Sequence, residues 1–172
     1  MTELNRALIL GETPPRPRGS AEEAAAVARL YPLSGEVGVR LCQLAGLEPD
    51  AEGSRYARHY WPLKRAYDVS NLLQTWPGPR NAPGALFPHA LACQAVEDRA
   101  DEWEGRVIVL LSSRLRGLFS DTARAHFTWW ESGGARLISI PHIERSRLLY
   151  EYDIHTRAQA RAALTQAKEM AL

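Results

Sequence analysis

Four apolar residues in a row, Ala7-Leu8-Ile9-Leu10, are cut off by Gly11-Glu12-Thr13-Pro14-Pro15. An apolar run of this length bounded by Gly and Pro reads as a buried strand of a parallel sheet. Gly11 permits a sharp exit from that strand, and the two prolines hold the following loop stiff and extended. One carboxylate, Glu12, is thereby presented at the C-terminal edge of a sheet, where open α/β folds place their ligands. The plainer alternative is that Glu12 is a solvated loop residue.

A chain of 172 residues, 45% of them hydrophobic, is expected to form one domain over 1–172 with a substantial core. No stretch approaches the roughly 18 apolar residues of a membrane span, and the first residues lack a signal-peptide pattern. These features point to a soluble cytoplasmic protein that does not enter a membrane. Cys42 and Cys93 lie far apart in helix-like contexts, which favours buried thiols over a disulfide or a metal site. The net charge of +1 neither demands nor excludes a nucleic-acid partner. Of 21 basic residues only Lys64 and Lys168 are lysines. Such an arginine bias suits bidentate phosphate contacts, and equally suits a GC-rich genome.

Further along, Ser20-Ala21-Glu22-Glu23 is a capping box that opens a helix to about Leu30. Val37, Leu41 and Leu44 fall at helical spacing within Gly35 to Ala45, and Gly46 is placed to stop that helix. Tyr56, Tyr60 and Trp61 form an aromatic cluster that reads as packing more than as recognition. Tyr67 to Leu73 is a second strand with Asn71 near its end, followed by a Pro/Gly-rich loop from Gln74 to Pro83. Pro88 to Glu104 reads as one amphipathic helix with Leu91, Ala95 and Val96 inward. Arg106 to Leu111 is the clearest buried strand, and Ser112-Ser113 caps a short helix ending near Phe119. Asp121 to Trp130 gives no clear pattern. Ala135 to Ile140 makes a fourth strand ended by Pro141-His142, then a basic loop runs from Ile143 to Tyr152. A capping box at Thr156 to Gln159 starts the C-terminal helix. Four strands alternating with helices predict a three-layer α/β/α sandwich around a four-stranded, mainly parallel sheet.

Glu12, Asn71 and His142 each fall at a strand end, and parallel strands bring such ends to one edge. An acid, an amide and an imidazole around one pocket suit hydrolysis of a bond whose leaving group is a heterocycle. The carboxylate orients a water or stabilises an oxocarbenium-like cation, as in glycoside hydrolysis. The amide reads the donor and acceptor edge of a base, and the imidazole stabilises the departing anion. The P-loop pattern is missing, and no serine sits in a G-x-S-x-G elbow.

The same stretches resemble the uracil-DNA glycosylase superfamily, especially the branch whose first motif is G-E-x-P. Gly11-Glu12-Thr13-Pro14 matches that motif, and Pro32 to Gly38 resembles the segment that packs on a flipped base. Tyr67 to Pro83 resembles the family's strand ending in Asn with a proline-rich loop after it. Val107 to Phe119 resembles its strand-turn-helix, and Ile140-Pro141-His142 begins its second catalytic motif. The resemblance implies that Glu12 activates water or stabilises the cation, that His142 stabilises the leaving group, and that Asn71 reads the base. It assigns Gly11, Thr13 and Pro14 to backbone contacts and Leu33 to the base-stacking position. Arg16, Arg80, Arg145 and Arg147 become candidate DNA contacts. The implied partner is DNA carrying uracil or a modified base, bound by a monomer. The four cysteines of the iron–sulfur branch are absent, so no cluster and no other cofactor is implied. Two departures concern the substrate: Leu33 stands where the family has a ring, and His142-Ile143-Glu144 replaces H-P-S. A non-catalytic nucleic-acid-binding relative and a hydrolase of free nucleosides or nucleotides are the competing readings.

Overall fold

The computed structural model describes residues 5–14, 20, 30–74, 88–120, 125–141, 143 and 153–171. Strand β1 (Leu8–Gly11) is buried at every position, as a run with no polar alternate requires. It pairs in parallel with β2 (Asp68–Asn71) on one side and β3 (Val107–Leu110) on the other. Strand β5 (Ala135–Ser139) extends the parallel sheet beyond β3, and β4 (Trp130–Ser132) closes that edge antiparallel to β5. The order is therefore β2-β1-β3-β5-β4.

The α/β class and the layering agree with the sequence reading, but the sheet has five strands rather than four. The added strand β4 is joined to β5 by Gly133 and Gly134, at φ 57° and φ 78°. Two consecutive left-handed residues make the tight hairpin turn whose twist matches the strands. Three residues are too few to show a period, so only this Gly-Gly pair marks β4 in the sequence.

Helices α1 (Glu36–Leu44), α2 (Arg55–Ala66), α3 (His89–Asp98), α4 (Ala100–Trp103), α5 (Ser113–Phe119) and α6 (Ile154–Met170) cover the sheet. On one face Ile9, Val107, Val109 and Ile138 pack with Leu41 of α1, Leu63 of α2, Tyr67 between α2 and β2, and Leu164 of α6. On the other, Leu8, Leu10, Ile108 and Leu110 pack with Ala92, Trp103, Leu115 and Phe119 from α3, α4 and α5. Alternate residues of one strand thus feed opposite cores, and each fully buried aliphatic chain contributes about 1.5–3 kcal/mol.

Two helical expectations change. The segment from Pro88 to Glu104 is two helices broken at Arg99, and Leu91 is 57% exposed rather than inward. Ala92 is buried, with Ala95 and Val96 partly buried beside it, so the apolar stripe lies one residue from where Leu91 suggested. The C-terminal helix is capped by Asp153, whose carboxylate accepts the Thr156 N–H at 2.7 Å. The box at Thr156 therefore lies inside the first turn. By contrast α1 ends as expected, with Gly46 at φ 70°. Ser112 caps α5 by accepting the Leu115 N–H at 3.1 Å. The helix expected over 21–29, the loop over 75–83 and the basic loop over 144–152 lie outside the described residues.

Chain leaving β1 returns to β2 through α1 and α2 on one face of the sheet. Chain leaving β3 enters α5 on the other face. Adjacent strands whose connections diverge in this way open a crevice at their carboxyl ends.

Candidate functional site

That crevice is lined by Gly11 and Glu12 after β1, Asn71 at the end of β2, Leu111 after β3, Ile143 beyond β5, and Leu33 and Val37 from the α1 side. Ladder pairing runs past the strand ends and fixes its floor. The Leu72 N–H donates to the Gly11 carbonyl at 2.8 Å, and the Leu73 N–H to that of Glu12 at 3.0 Å. Glu12 is thereby held one residue beyond the direct Gly11–Asn71 pair.

Gly11 is required by what covers it. A Cβ there would lie 2.6 Å from Asn71 Oδ1 and 2.8 Å from Leu33 Cδ2. Leu33 sits at φ 60°, a left-handed conformation that costs a non-glycine residue about 1–2 kcal/mol. Its turn rests on α1 at Gly38, where a Cβ would strike the Leu33 carbonyl oxygen. With Leu33 so seated, about 10 Å³ of space is open in the crevice, the room of roughly one water.

Asn71 is 4% exposed, and its Oδ1 has no hydrogen-bond partner among the described residues. Its backbone is held firmly. Arg99 Nη1 donates to the Asn71 and Leu72 carbonyls, each at 2.8 Å, and Nη2 donates to Ser70 Oγ at 3.1 Å. The guanidinium is itself fixed by Glu102 at 2.9 Å and by the Trp103 ring 4.8 Å away. Glu12 Oε2 lies 3.6 Å from Arg114 Nη1, in the first turn of α5. On the far side of the crevice, buried Arg40 donates Nη1 to the Ile143 carbonyl at 2.6 Å.

Of the residues singled out in the sequence, Gly11, Glu12, Leu33 and Asn71 come together around this space. Thr13 and Pro14 follow directly but do not line it. His142 lies outside the described residues between Pro141 and Ile143, and Arg16, Arg80, Arg145 and Arg147 also lie outside them. Sequence reasoning missed three arginines. Arg99 carries a faint signal, a cation with Glu102 three residues on and Trp103 beside it. Arg40 interrupts the apolar stripe of α1, with Glu36 four residues before it. Arg114 has no signal beyond its place after the Ser112 cap.

Among the described residues no group of three or more His, Cys, Asp or Glu is arranged to hold a metal ion. Cys42 is buried and Cys93 partly buried, both as free thiols, and burial pushes the Cys42 thiol up from its ordinary pKa. Among the same residues no helix is long and apolar enough to cross a membrane. No protein-family model matches the chain, and no curated protein matches it.

Proposed function

We propose that this protein hydrolyses the N-glycosidic bond of a flipped uracil or modified base in DNA. The observation that carries the reading is the buried Asn71 amide, whose Oδ1 is unpartnered among the described residues and lies against the crevice beside Glu12. A buried acceptor left unpaired costs about 1–3 kcal/mol, and a ligand N–H returns that cost on binding. An amide accepts from the ring N–H of a pyrimidine and donates to its adjacent exocyclic oxygen. Neither a hydrophobic ligand nor a bare anion uses both halves of that group.

Glu12 then stands where the sugar of such a base would enter. Its carboxylate orients a water toward the anomeric carbon, or stabilises positive charge there as the glycosidic bond breaks. The water adds through oxygen to the sugar carbon, the base leaves with the bonding electron pair, and the water's proton ends on the base. By resemblance His142 stabilises that departing anion. Leu33 must withdraw for a base to enter, because the open space holds only about one water. Unpairing and extruding the nucleotide adds a few kcal/mol to the work of binding, least for a mispaired or single-stranded base.

One contact favours the non-catalytic reading: the Arg114 guanidinium near Glu12 also suits a carboxylate that serves as a loop anchor. A hydrolase of free nucleosides would use the same amide without any surface for a strand. Incubating the protein with single- and double-stranded oligonucleotides that carry different bases, then scoring abasic sites, separates these readings. Abasic sites in at least one oligonucleotide are expected. Their absence from all, with free nucleosides cleaved or with binding alone, would replace this reading with one of the other two.

A further inference from the structure

Tyr31 and Trp61 are each 42% exposed, although both belong to an aromatic group whose third member, Tyr60, is buried. The Tyr31 and Trp61 rings meet at 89° with centroids 6.1 Å apart. Tyr60 contacts both, at 6.4 Å and 5.4 Å. The right-angled pair forms a step, and Leu30 beside it is also exposed. This step adjoins the crevice. Leu33, which lines the crevice, seats on Gly38, and a Cβ on Gly38 would lie 3.7 Å from the Tyr60 ring.

The helix that carries Trp61 is itself wholly basic in its charges. Helix α2, which carries Trp61, holds Arg55, Arg58, Lys64 and Arg65 and no acidic residue. Lys64 Nζ lies 5.8 Å from the Tyr60 ring centroid. Along the same helix a groove of about 320 Å³ runs past Pro62 and is lined by Arg6, Arg65 and Lys168 without any carboxylate. Arg55 and Arg65 pair with Glu36 and Asp50 at the surface. Exposed pairs of that kind add little to stability, so a phosphate competes for them at little cost.

Part-exposed aromatic rings on a helix that also lines a basic groove suit single-stranded nucleic acid, since bases stack on rings and cations follow the backbone. An aliphatic protein partner would gain nothing from the cations, and duplex DNA offers no base faces to the rings. We infer that Tyr31 and Trp61 form a stacking step for the bases flanking the target nucleotide, so that the protein acts on single-stranded DNA. The inference rests on the crevice being a base pocket, but its test does not use that activity.

The test measures anisotropy of labelled single-stranded oligodeoxyadenylate, which carries no pyrimidine for the crevice to read, with wild type, Tyr31→Leu and Trp61→Leu. Leucine keeps the apolar packing and removes the aromatic face. Each variant is expected to bind the single strand about 10-fold more weakly, while its weaker binding to duplex is unchanged. Leu91→Ser, exposed on the opposite side of the sheet, serves as a control and should bind as wild type. Wild-type affinity for the single strand in both leucine variants would overturn the inference, as would equal losses for single strand and duplex. Wild-type self-association that the leucine variants abolish, with oligonucleotide binding intact, would instead make the face a contact between copies of this chain. Base release with intact binding in the variants would remove the step and leave the glycosylase reading standing. Lost binding without base release from any substrate would do the reverse.

Discussion

Two of the parallel strands end on a buried polar side chain, β2 on Asn71 and β5 on Ser139. Ser139 is 0% exposed, and its Oγ lies 2.9 Å from His126 Nδ1, so its hydroxyl is satisfied within the fold. Asn71 is nearly as buried, yet its Oδ1 has no partner among the described residues. The two residues share a place in the topology and differ in what surrounds them. His126 comes from the turn before β4 and covers Ser139. Against Asn71 Oδ1 lies Gly11, which offers no side chain, and against Gly11 lies Leu33, which offers no donor. A satisfied polar strand end adds specificity to a core. An unsatisfied one held in place by Arg99 costs stability, and we propose that it is kept in order to bind a ligand.

The largest test of that contrast is at the neighbouring acid. Glu12→Gln keeps the shape and removes the charge, so single-turnover base release should fall by about 10²-fold or more while DNA binding persists. Unchanged rates would reduce Glu12 to the loop anchor that Arg114 also suits. Next in size is Gly11→Ala, which drives a methyl into Asn71 Oδ1 and Leu33 Cδ2. Overpacking of this kind costs about 1–3 kcal/mol, measurable as a lower urea midpoint at constant slope. Equal stability would mean that the amide and Leu33 move aside freely, and that the crevice is loose.

Smaller again is the direct comparison. Asn71→Leu replaces an amide whose Oδ1 is unpaired among the described residues with an apolar side chain of similar size, so stability should hold or rise while base release is lost. Ser139→Ala breaks a satisfied pair and should cost about 1 kcal/mol while base release survives. The opposite pattern in urea melts would dissolve the contrast.

The smallest effect is a pH dependence. Burial holds the His126 ring below the ordinary imidazole range of 6.5, helped by the Arg116 charge and opposed by hydrogen bonding to Ser139. The unfolded chain therefore takes up this proton at higher pH than the folded one. Below about 6.5 the unfolded state binds more protons, so stability falls as pH drops through that value toward the lower folded-state pKa. Glu36 and Asp153 do not obscure the window, because their carboxyls are held below ordinary values of 4.5 and 3.8. Arg55 does this chiefly for Glu36, and the Thr156 N–H for Asp153. Unfolding His126→Gln at pH values from about 7 to about 5 should show a flatter stability profile than wild type. A parallel profile would place the titrating group elsewhere.

Much of this was legible because strands buried on both faces leave few ambiguities. Ala7 to Leu10 and Val107 to Leu111 announce themselves by continuous apolarity, and Gly11 marks where the first one must stop. Asn71 was legible as a polar residue at the end of a short strand. What it lacks was not, since an absent hydrogen bond depends on residues up to 60 positions away. Arg99 lies 28 residues from the carbonyl it holds, and Arg40 lies 103 from Ile143. No local pattern encodes such a reach. The exposure of Trp61 was hidden because aromatics at helical spacing look the same whether they face a core or solvent. Leu91 misled for the converse reason: a large apolar residue drew the stripe toward itself, while small Ala92 fits closer to the sheet.

The most direct measurement is the ranking of released bases, by mass spectrometry, for wild type and Asn71→Asp on oligonucleotides carrying uracil, thymine, cytosine and oxidised pyrimidines. Asp keeps the acceptor and removes the amide donor. If Asn71 reads the base, wild type releases at least one of these, and Asn71→Asp reorders the ranking or abolishes release. If Asn71→Asp releases the same bases in the same order at the same rates, Asn71 is a structural amide and this crevice does not select the substrate.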